Sequence, residues 1–123
     1  MADARRLAAE KRGRRSETLA ALLLRLKGYR ILARRVRTHA GEIDLIARAP
    51  SGLVCFIEVK ARTADGIAIE SVGPRQQARI ARAAELYVAG RPELANKGMR
   101  FDIVTIIPRR LPRHIRDAWR PGD

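Results

Sequence analysis

The 123-residue sequence predicts a single α/β domain, and three patterns support that fold class. Leucines recur every three or four residues between positions 19 and 26, which predicts an amphipathic helix. Two apolar runs flank the turn sequence Pro50-Ser51-Gly52 and predict a β-hairpin. Residues 99–107 alternate between apolar and polar positions and predict a further strand. We expect a mobile basic arm or a frayed helix at 1–13, the folded domain at 14–107 and a basic tail at 108–123.

The first helix is predicted to begin at Ser16, a residue type that caps helix N-termini, and to end at Gly28. Its leucine stripe consists of Leu19, Leu22, Leu23 and Leu26. Glu17 lies about half a turn from that stripe, at one end of a second apolar face. We therefore expect Glu17 to border a packed surface.

The later elements follow from similar signals. Residues 29–37 alternate loosely and predict a strand, residues 63–73 predict a loop, and Pro74 suits the first turn of a helix that reaches Ala89. The inner positions of that helix are predicted to be Ile80, Ala83, Ala84 and Tyr87. The proline- and arginine-rich tail predicts irregular or partly ordered structure, in which Trp119 could cover the core, stack on a base or do neither. We interpret His39 and His114 as surface residues, and Arg100 and Asp102 as an ion pair.

The register of the hairpin decides whether its acidic residues meet. A three-residue turn at positions 50–52 pairs residues whose numbers sum to 102, which places Asp44 opposite Glu58 and Glu42 opposite Lys60. We expect Ile43, Leu45 and Ala47 on one face of the first strand, with Glu42, Asp44 and Ile46 on the other. The second strand alternates in the same way, with Glu58 and Lys60 sharing a face with Phe56.

Two facing carboxylates repel each other unless a cation lies between them or one of them is protonated. A divalent ion that prefers oxygen ligands, such as Mg²⁺ or Mn²⁺, would meet this need, with the carbonyl of Val59, water and phosphate oxygens completing its shell. Lys60 could then position a water or offset developing negative charge. The pattern predicts phosphodiester hydrolysis, while a solvent-exposed strand with a cross-strand ion pair remains the alternative.

The composition points to a polyanionic partner. Lys and Arg number 26 against 13 Asp and Glu, which gives a formal net charge of +13. We expect nucleic acid as that partner and no membrane association, because no apolar stretch is long enough to span a bilayer. A merely soluble basic surface is the alternative. The single cysteine excludes an intramolecular disulfide and is typical of a reducing compartment, so we expect a cytoplasmic protein.

The order of a Glu-bearing helix, "GEIDLIA", "FIEVKAR", a helix and "RFDIV" resembles the YraN-like family of small bacterial proteins. That family is similar to archaeal Holliday-junction resolvases within the PD-(D/E)XK nuclease superfamily. The resemblance implies a restriction-endonuclease-like core, in which a central mixed β-sheet is flanked by α-helices, over residues 14–107. It implies Asp44, Glu58 and Lys60 as the superfamily's motif residues and Glu17 as a further acidic ligand.

From these observations we expect a Mg²⁺-dependent endonuclease that acts on DNA, including branched or flap DNA. A catalytically silent nucleic-acid-binding protein with the same fold is the alternative. Similarity to resolvases suggests a homodimer, because two symmetric cuts need two sites. The residues expected to contact nucleic acid are Arg14, Arg15, Arg62, Arg75, Gln76, Gln77 and Arg79.

Overall fold

A computed structural model of the chain describes residues 2–62 and 72–122. Its elements in chain order are α1 (Ala2–Leu26), β1 (Arg30–Arg37), β2 (Glu42–Arg48), β3 (Val54–Ala61), α2 (Pro74–Ala89), a short 3-10 helix (Pro92–Leu94), β4 (Met99–Ile106) and β5 (Arg113–Trp119). The predicted loop lies mostly outside the described residues, at 63–71. Among the described helices, none combines the length and the apolar character that a membrane span requires.

The five strands form one mixed sheet in the order β1-β2-β3-β4-β5. Strands β3 and β4 are parallel, and the other neighbouring pairs are antiparallel. Alternate residues of β3 point to opposite sides of the sheet, so that Val54 and Phe56 pack with α2 while Cys55 and Ile57 pack with α1. The predicted α/β class with a helix-flanked mixed sheet is confirmed.

Helix α1 differs from its prediction in two ways. It begins at Ala2 and not at Ser16, because the residues before Ser16 are mostly Ala, Leu, Arg, Lys and Glu, which favour helix over a break. Its packed face also differs from the leucine stripe: Leu19, Leu22 and Leu26 are 45%, 50% and 78% exposed. The face that packs on the sheet carries Glu17, Ala20, Ala21 and Leu24.

The end of α1 and the whole of α2 are as predicted. Gly28 adopts φ +89°, and the next residue, Tyr29, donates its backbone N–H to the Leu24 carbonyl at 2.9 Å, which closes the helix. Helix α2 has Pro74 in its first turn, and its buried residues are Ile80, Ala83, Ala84 and Tyr87.

The tail is partly ordered, one of the two predicted alternatives, because residues 113–119 form β5 against β4. Asp102 of β4 is fully buried, and its carboxylate accepts hydrogen bonds from side chains of both β4 and β5. Arg100 donates to both of its carboxylate oxygens at 2.9 Å, and His114 Nε2 lies 2.8 Å from Oδ2. The predicted ion pair of Arg100 and Asp102 is therefore confirmed. The interpretation of His114 as a surface residue is wrong, since its side chain is 2% exposed.

Trp119 covers the core, which settles the alternatives left open by the sequence. Its ring stacks on Phe101 with 4.3 Å between the centroids. The other aromatic residues, Tyr29, Phe56, Phe101 and Tyr87, are buried as well. These five are all the Phe, Trp and Tyr residues of the chain, so the protein presents none of these rings on its surface.

Candidate metal centre and nucleic-acid interface

The β2–β3 hairpin has the register that its turn predicts. Arg48 lies opposite Val54 and Leu45 opposite Ile57, so the numbers of paired residues sum to 102. In the turn, Ala49 N–H donates to the Leu53 carbonyl at 2.9 Å, and Gly52 takes φ +99°, a conformation that glycine adopts without steric cost. This register directs Asp44 toward Glu58.

The two strands separate just past Leu45 and Ile57, where the ladder of backbone pairs ends. Beyond that point, the backbone N–H of Val59 donates to Asp44 Oδ2 at 2.8 Å. A side chain of β2 thus replaces the backbone as the partner of β3. We call this end of the backbone ladder, at the position of the acidic residues, the fork.

The alternation of β2 is interrupted at the same place, which corrects one prediction. Leu45 and Ala47 pack on the α1 side as expected, but Ile43 packs on the α2 side with Ile46. The neighbouring strand β1 is distorted there too, since Arg35 has a positive φ of 50° between the paired residues Arg34 and Val36. Nothing in the hydrophobic pattern marks this irregularity.

The carboxyl groups of the half-buried Asp44 and the buried Glu58 lie close enough to influence each other's charge. Burial, together with the charge of Asp44, raises the pKa of Glu58 to about 8, and the charge of Lys60 opposes the shift. Burial likewise raises the pKa of Asp44, against the effect of the Val59 N–H. Glu58 is only 8% exposed. Both carboxyl groups therefore lie where their charged forms are short of stabilising partners.

The two oxygens of Glu58 have different surroundings. Oε2 accepts a hydrogen bond from Gln76 Nε2, at the start of α2, at 3.2 Å. Oε1 is buried and has no hydrogen-bond partner in the described part of the chain. A buried carboxylate oxygen without a partner is uncommon and calls for a ligand, an ion or a proton.

Glu17 lies near the Asp44–Glu58 pair, and its carboxylate already forms an ion pair. It is 7% exposed, and its Oε2 lies 2.7 Å from Arg35 Nε. Its charge nevertheless raises the pKa of Asp44, which shows that α1 brings it into electrostatic reach of the fork. The sequence placed Glu17 here but gave no sign of its partner, because Arg35 reaches it from the distorted part of β1.

Lys60 is half-buried at the end of β3, and its charge lowers the pKa of Glu58. The expected cross-strand pairing of Lys60 with Glu42 is not formed, because the hairpin ladder ends before reaching them. Oε2 of Glu42 instead lies 3.7 Å from Nε of the exposed Arg37 on β1. Lys60 thus shares with Asp44 and Glu58 the region of the fork.

A family model described as "Uncharacterised protein family UPF0102" matches residues 16–106 of this chain. The chain belongs to UPF0102. The UPF0102 protein of Parvibaculum lavamentivorans is 55% identical over 115 residues, which are 94% of this chain and 86% of that one. The UPF0102 protein of Maricaulis maris is 53% identical over 123 residues, or 100% and 95% of the two chains. These relatives establish the family and name no activity.

The donor atoms of this UPF0102 chain fit a divalent ion only with help from other ligands. Within residues 2–62 and 72–122, no three His, Cys, Asp or Glu side chains are grouped as a metal site. Two carboxylates are grouped, one with an unpartnered oxygen, and hard cations such as Mg²⁺ take one or two carboxylates together with water and phosphate oxygens. The pair therefore fits Mg²⁺ or Mn²⁺, with the Val59 carbonyl as a further candidate ligand.

The residues predicted to contact nucleic acid fall into two groups in the UPF0102 chain. Arg14, Arg15, Arg75 and Arg79 are exposed, and Arg62 is half-buried. The two glutamines are engaged within the protein: Gln76 donates to Glu58, and Gln77 donates to the Val72 carbonyl at 2.7 Å. Gln76 thus orients a candidate ligand, a role that the sequence did not predict.

Proposed function

We propose that this UPF0102 chain is a metal-dependent nuclease that hydrolyses phosphodiester bonds of DNA. The observation that carries the proposal is the Asp44–Glu58 pair, which combines raised pKa values with a buried, unpartnered Glu58 oxygen beside Lys60. A solvent-exposed strand with a cross-strand ion pair would show neither the raised pKa values nor the unpartnered oxygen. A site that awaits a cation explains both.

We place the chain in the PD-(D/E)XK superfamily as part of this proposal. Three features support the placement: an aspartate at the fork of β2, a Glu-x-Lys motif at the end of β3, and a helix that packs over the Glu-x-Lys face. The sequence resemblance pointed to the same residues. The family membership itself carries no activity.

Asp44 and Glu58 would hold the ion, with the Val59 carbonyl and, once released from Arg35, Glu17 as further ligands. A bound Mg²⁺ or Mn²⁺ supplies an acidified water and stabilises negative charge on a phosphate. The Lys60 ammonium orients the attacking water and offsets charge that develops on the phosphate oxygens. Gln76 fixes the rotamer of Glu58 by donating to its Oε2.

The surface chemistry favours recognition of the DNA backbone. With every Phe, Tyr and Trp buried, the chain has none of the aromatic platforms on which unpaired bases stack. Its exposed cations are mostly arginines, which bind phosphates through bidentate hydrogen bonds. We therefore expect binding with little sequence preference and a steep dependence on salt.

A cleavage assay tests the proposal. Purified protein should cut a panel of duplex, branched and flap DNA in Mg²⁺ or Mn²⁺, and Asp44→Ala and Lys60→Ala should reduce the rate by more than about a hundredfold. Matched controls are Glu42→Gln, an exposed acid on the same strand as Asp44, and Lys97→Ala, an exposed lysine in a turn. Activity that survives in both Asp44→Ala and Lys60→Ala would rule out this site.

A second candidate function is nucleic-acid binding without catalysis. Two observations favour it: Glu17 is paired with Arg35, and the described residues contain no cluster of three His, Cys, Asp or Glu side chains that could hold a metal. On this alternative, DNA affinity falls when exposed arginines are replaced, but Lys60→Ala alone has no effect and the wild-type protein cuts nothing. The same DNA panel therefore separates the two functions.

A further inference from the structure

Three residues form a row across the sheet next to the candidate metal centre. Lys60 of β3 is paired with Thr105 of β4, and Thr105 is paired with Arg113 of β5. Directly paired residues of neighbouring strands project to the same side of a sheet. The next residues along, Ile103 and Ile115, pack in the core on the α2 side. The row therefore lies on the α2 face, which also carries Glu58.

The middle member of the row has an unmet hydrogen-bonding group. Thr105 is 3% exposed, and its hydroxyl is buried without a partner in the part of the chain that the structure describes. Buried hydroxyl groups are nearly always hydrogen-bonded, so this one is best explained by a partner that arrives with a ligand. The unpartnered Glu58 oxygen lies on the same face.

The outer members of the row are cations. Neither Lys60 nor Arg113 forms an ion pair with any residue in 2–62 or 72–122, and Arg113 is exposed. The hydroxyl of Thr105 is shielded from solvent, and these two long side chains lie on either side of it in the row. Each of them can extend toward an anion bound beside Thr105.

We propose that Lys60, Thr105 and Arg113 form a subsite for a backbone phosphate next to the candidate metal centre. Lysine, arginine and threonine hydroxyl groups are common donors to phosphate oxygens in nucleic-acid complexes. The phosphate neighbours the one that is cleaved, so the bound strand extends from the β2–β3 fork across β4 to β5. This inference rests on the proposed function for the identity of its ligand.

Equilibrium binding to a fluorescein-labelled DNA duplex in EDTA tests the subsite without cleavage. Arg113→Gln and Thr105→Val should each weaken binding by about fivefold, and Arg113→Gln should lower the slope of log affinity against log salt by about one. The matched control is Arg116→Gln, which removes the same charge from an exposed position on β5. Arg116 acts electrostatically on Lys27 at the end of α1 and so belongs to the opposite side.

The second control is Thr105→Ser, which keeps the hydroxyl and should bind within about twofold of the wild type. Thermal unfolding checks each variant, and Thr105→Val should be no less stable than the wild type because it removes an unpartnered polar group. If Thr105→Val fails to fold, the DNA affinities of Arg113→Gln and Arg116→Gln still decide whether the subsite exists.

The subsite is overturned if Arg113→Gln and Arg116→Gln bind alike and Thr105→Val matches the wild type. A wild-type protein that cuts DNA in the same preparation would then leave the proposed nuclease function standing. A wild-type protein that neither binds the duplex at low salt nor cuts any substrate would overturn both.

Discussion

Glu58 occupies a position where its charged form is disfavoured, and this is the clearest residue-scale sign of a site. The turn Pro50-Ser51-Gly52 allowed the register that brings Glu58 to Asp44 to be predicted from the sequence. The partners of the acids could not be predicted, because Arg35 and Gln76 reach them through a strand distortion and a helix placement that leave no local pattern. Sequence motifs pointed to the candidate ligands, and packing determined their surroundings.

The raised pKa of Glu58 makes a stability prediction for the metal-free protein. A group whose pKa is higher in the folded state contributes stability below its ordinary pKa of 4.5 and loses it as the pH rises through about 8. The Glu58→Gln variant lacks that loss, so the free energy of unfolding of the variant relative to wild type should rise between pH 5 and pH 9, by roughly 4 kcal/mol. Urea unfolding in EDTA at several pH values measures this difference in the free energy of unfolding, with Glu42→Gln as the control. A difference between Glu58→Gln and wild type that does not change with pH would contradict the stated environment of Glu58.

At the scale of elements, the last strand shows where sequence patterns were insufficient. Strand β5 has arginines, a positive φ of 52° at Asp117 and a break in its register with β4, so its alternation is weak. The strand is held by Asp102, which accepts hydrogen bonds from His114 Nε2 and from the Asp117 backbone N–H at 3.0 Å. Pairing with a buried acid on another strand is a tertiary effect that a local pattern does not reveal.

Asp102 should therefore be essential to the docking of β5. Asp102→Ala leaves the guanidinium of Arg100 without its carboxylate in a largely buried place, and we expect a loss of about 3 kcal/mol in the free energy of unfolding. Hydrogen exchange should show β5 amides opening first. The control is Asp117→Asn, which removes an exposed ion pair with Arg120 and keeps a side chain that tolerates the positive φ at this position. Equal stability of Asp102→Ala and Asp117→Asn would contradict this account.

The lowered pKa of Asp102, about 2, gives the same junction a pH dependence. Hydrogen bonds from His114, Arg100 and Asp117 outweigh the effect of burial on this carboxyl group. A group with a lowered pKa contributes stability above its ordinary value of 3.8 and loses it as the pH falls toward 2. Circular dichroism of Asp102→Asn should show a flatter stability profile than wild type in that acid range. An unchanged acid profile would argue against these contacts.

For the whole molecule, the sheet brings together on its α2 face two kinds of chemistry that are separated in sequence. The acidic pair and Lys60 lie at the fork of β2 and β3, and the proposed phosphate row continues from Lys60 to β5. Composition predicted a polyanionic partner, and it could not show which face binds that partner, because basic residues are distributed over the whole chain. The expected homodimer and cytoplasmic location stay predictions.

The measurement that tests the central claim most directly is calorimetric titration of Mn²⁺ into the wild-type protein and into Asp44→Ala and Glu58→Gln. We expect the wild type to bind one ion with measurable heat, and both variants to lose that heat, because the fork then lacks one of its two carboxylates. Glu42→Gln should bind as the wild type does. No heat up to millimolar Mn²⁺, or indistinguishable titrations of wild type and Asp44→Ala, would contradict the assignment of this pair as a metal centre.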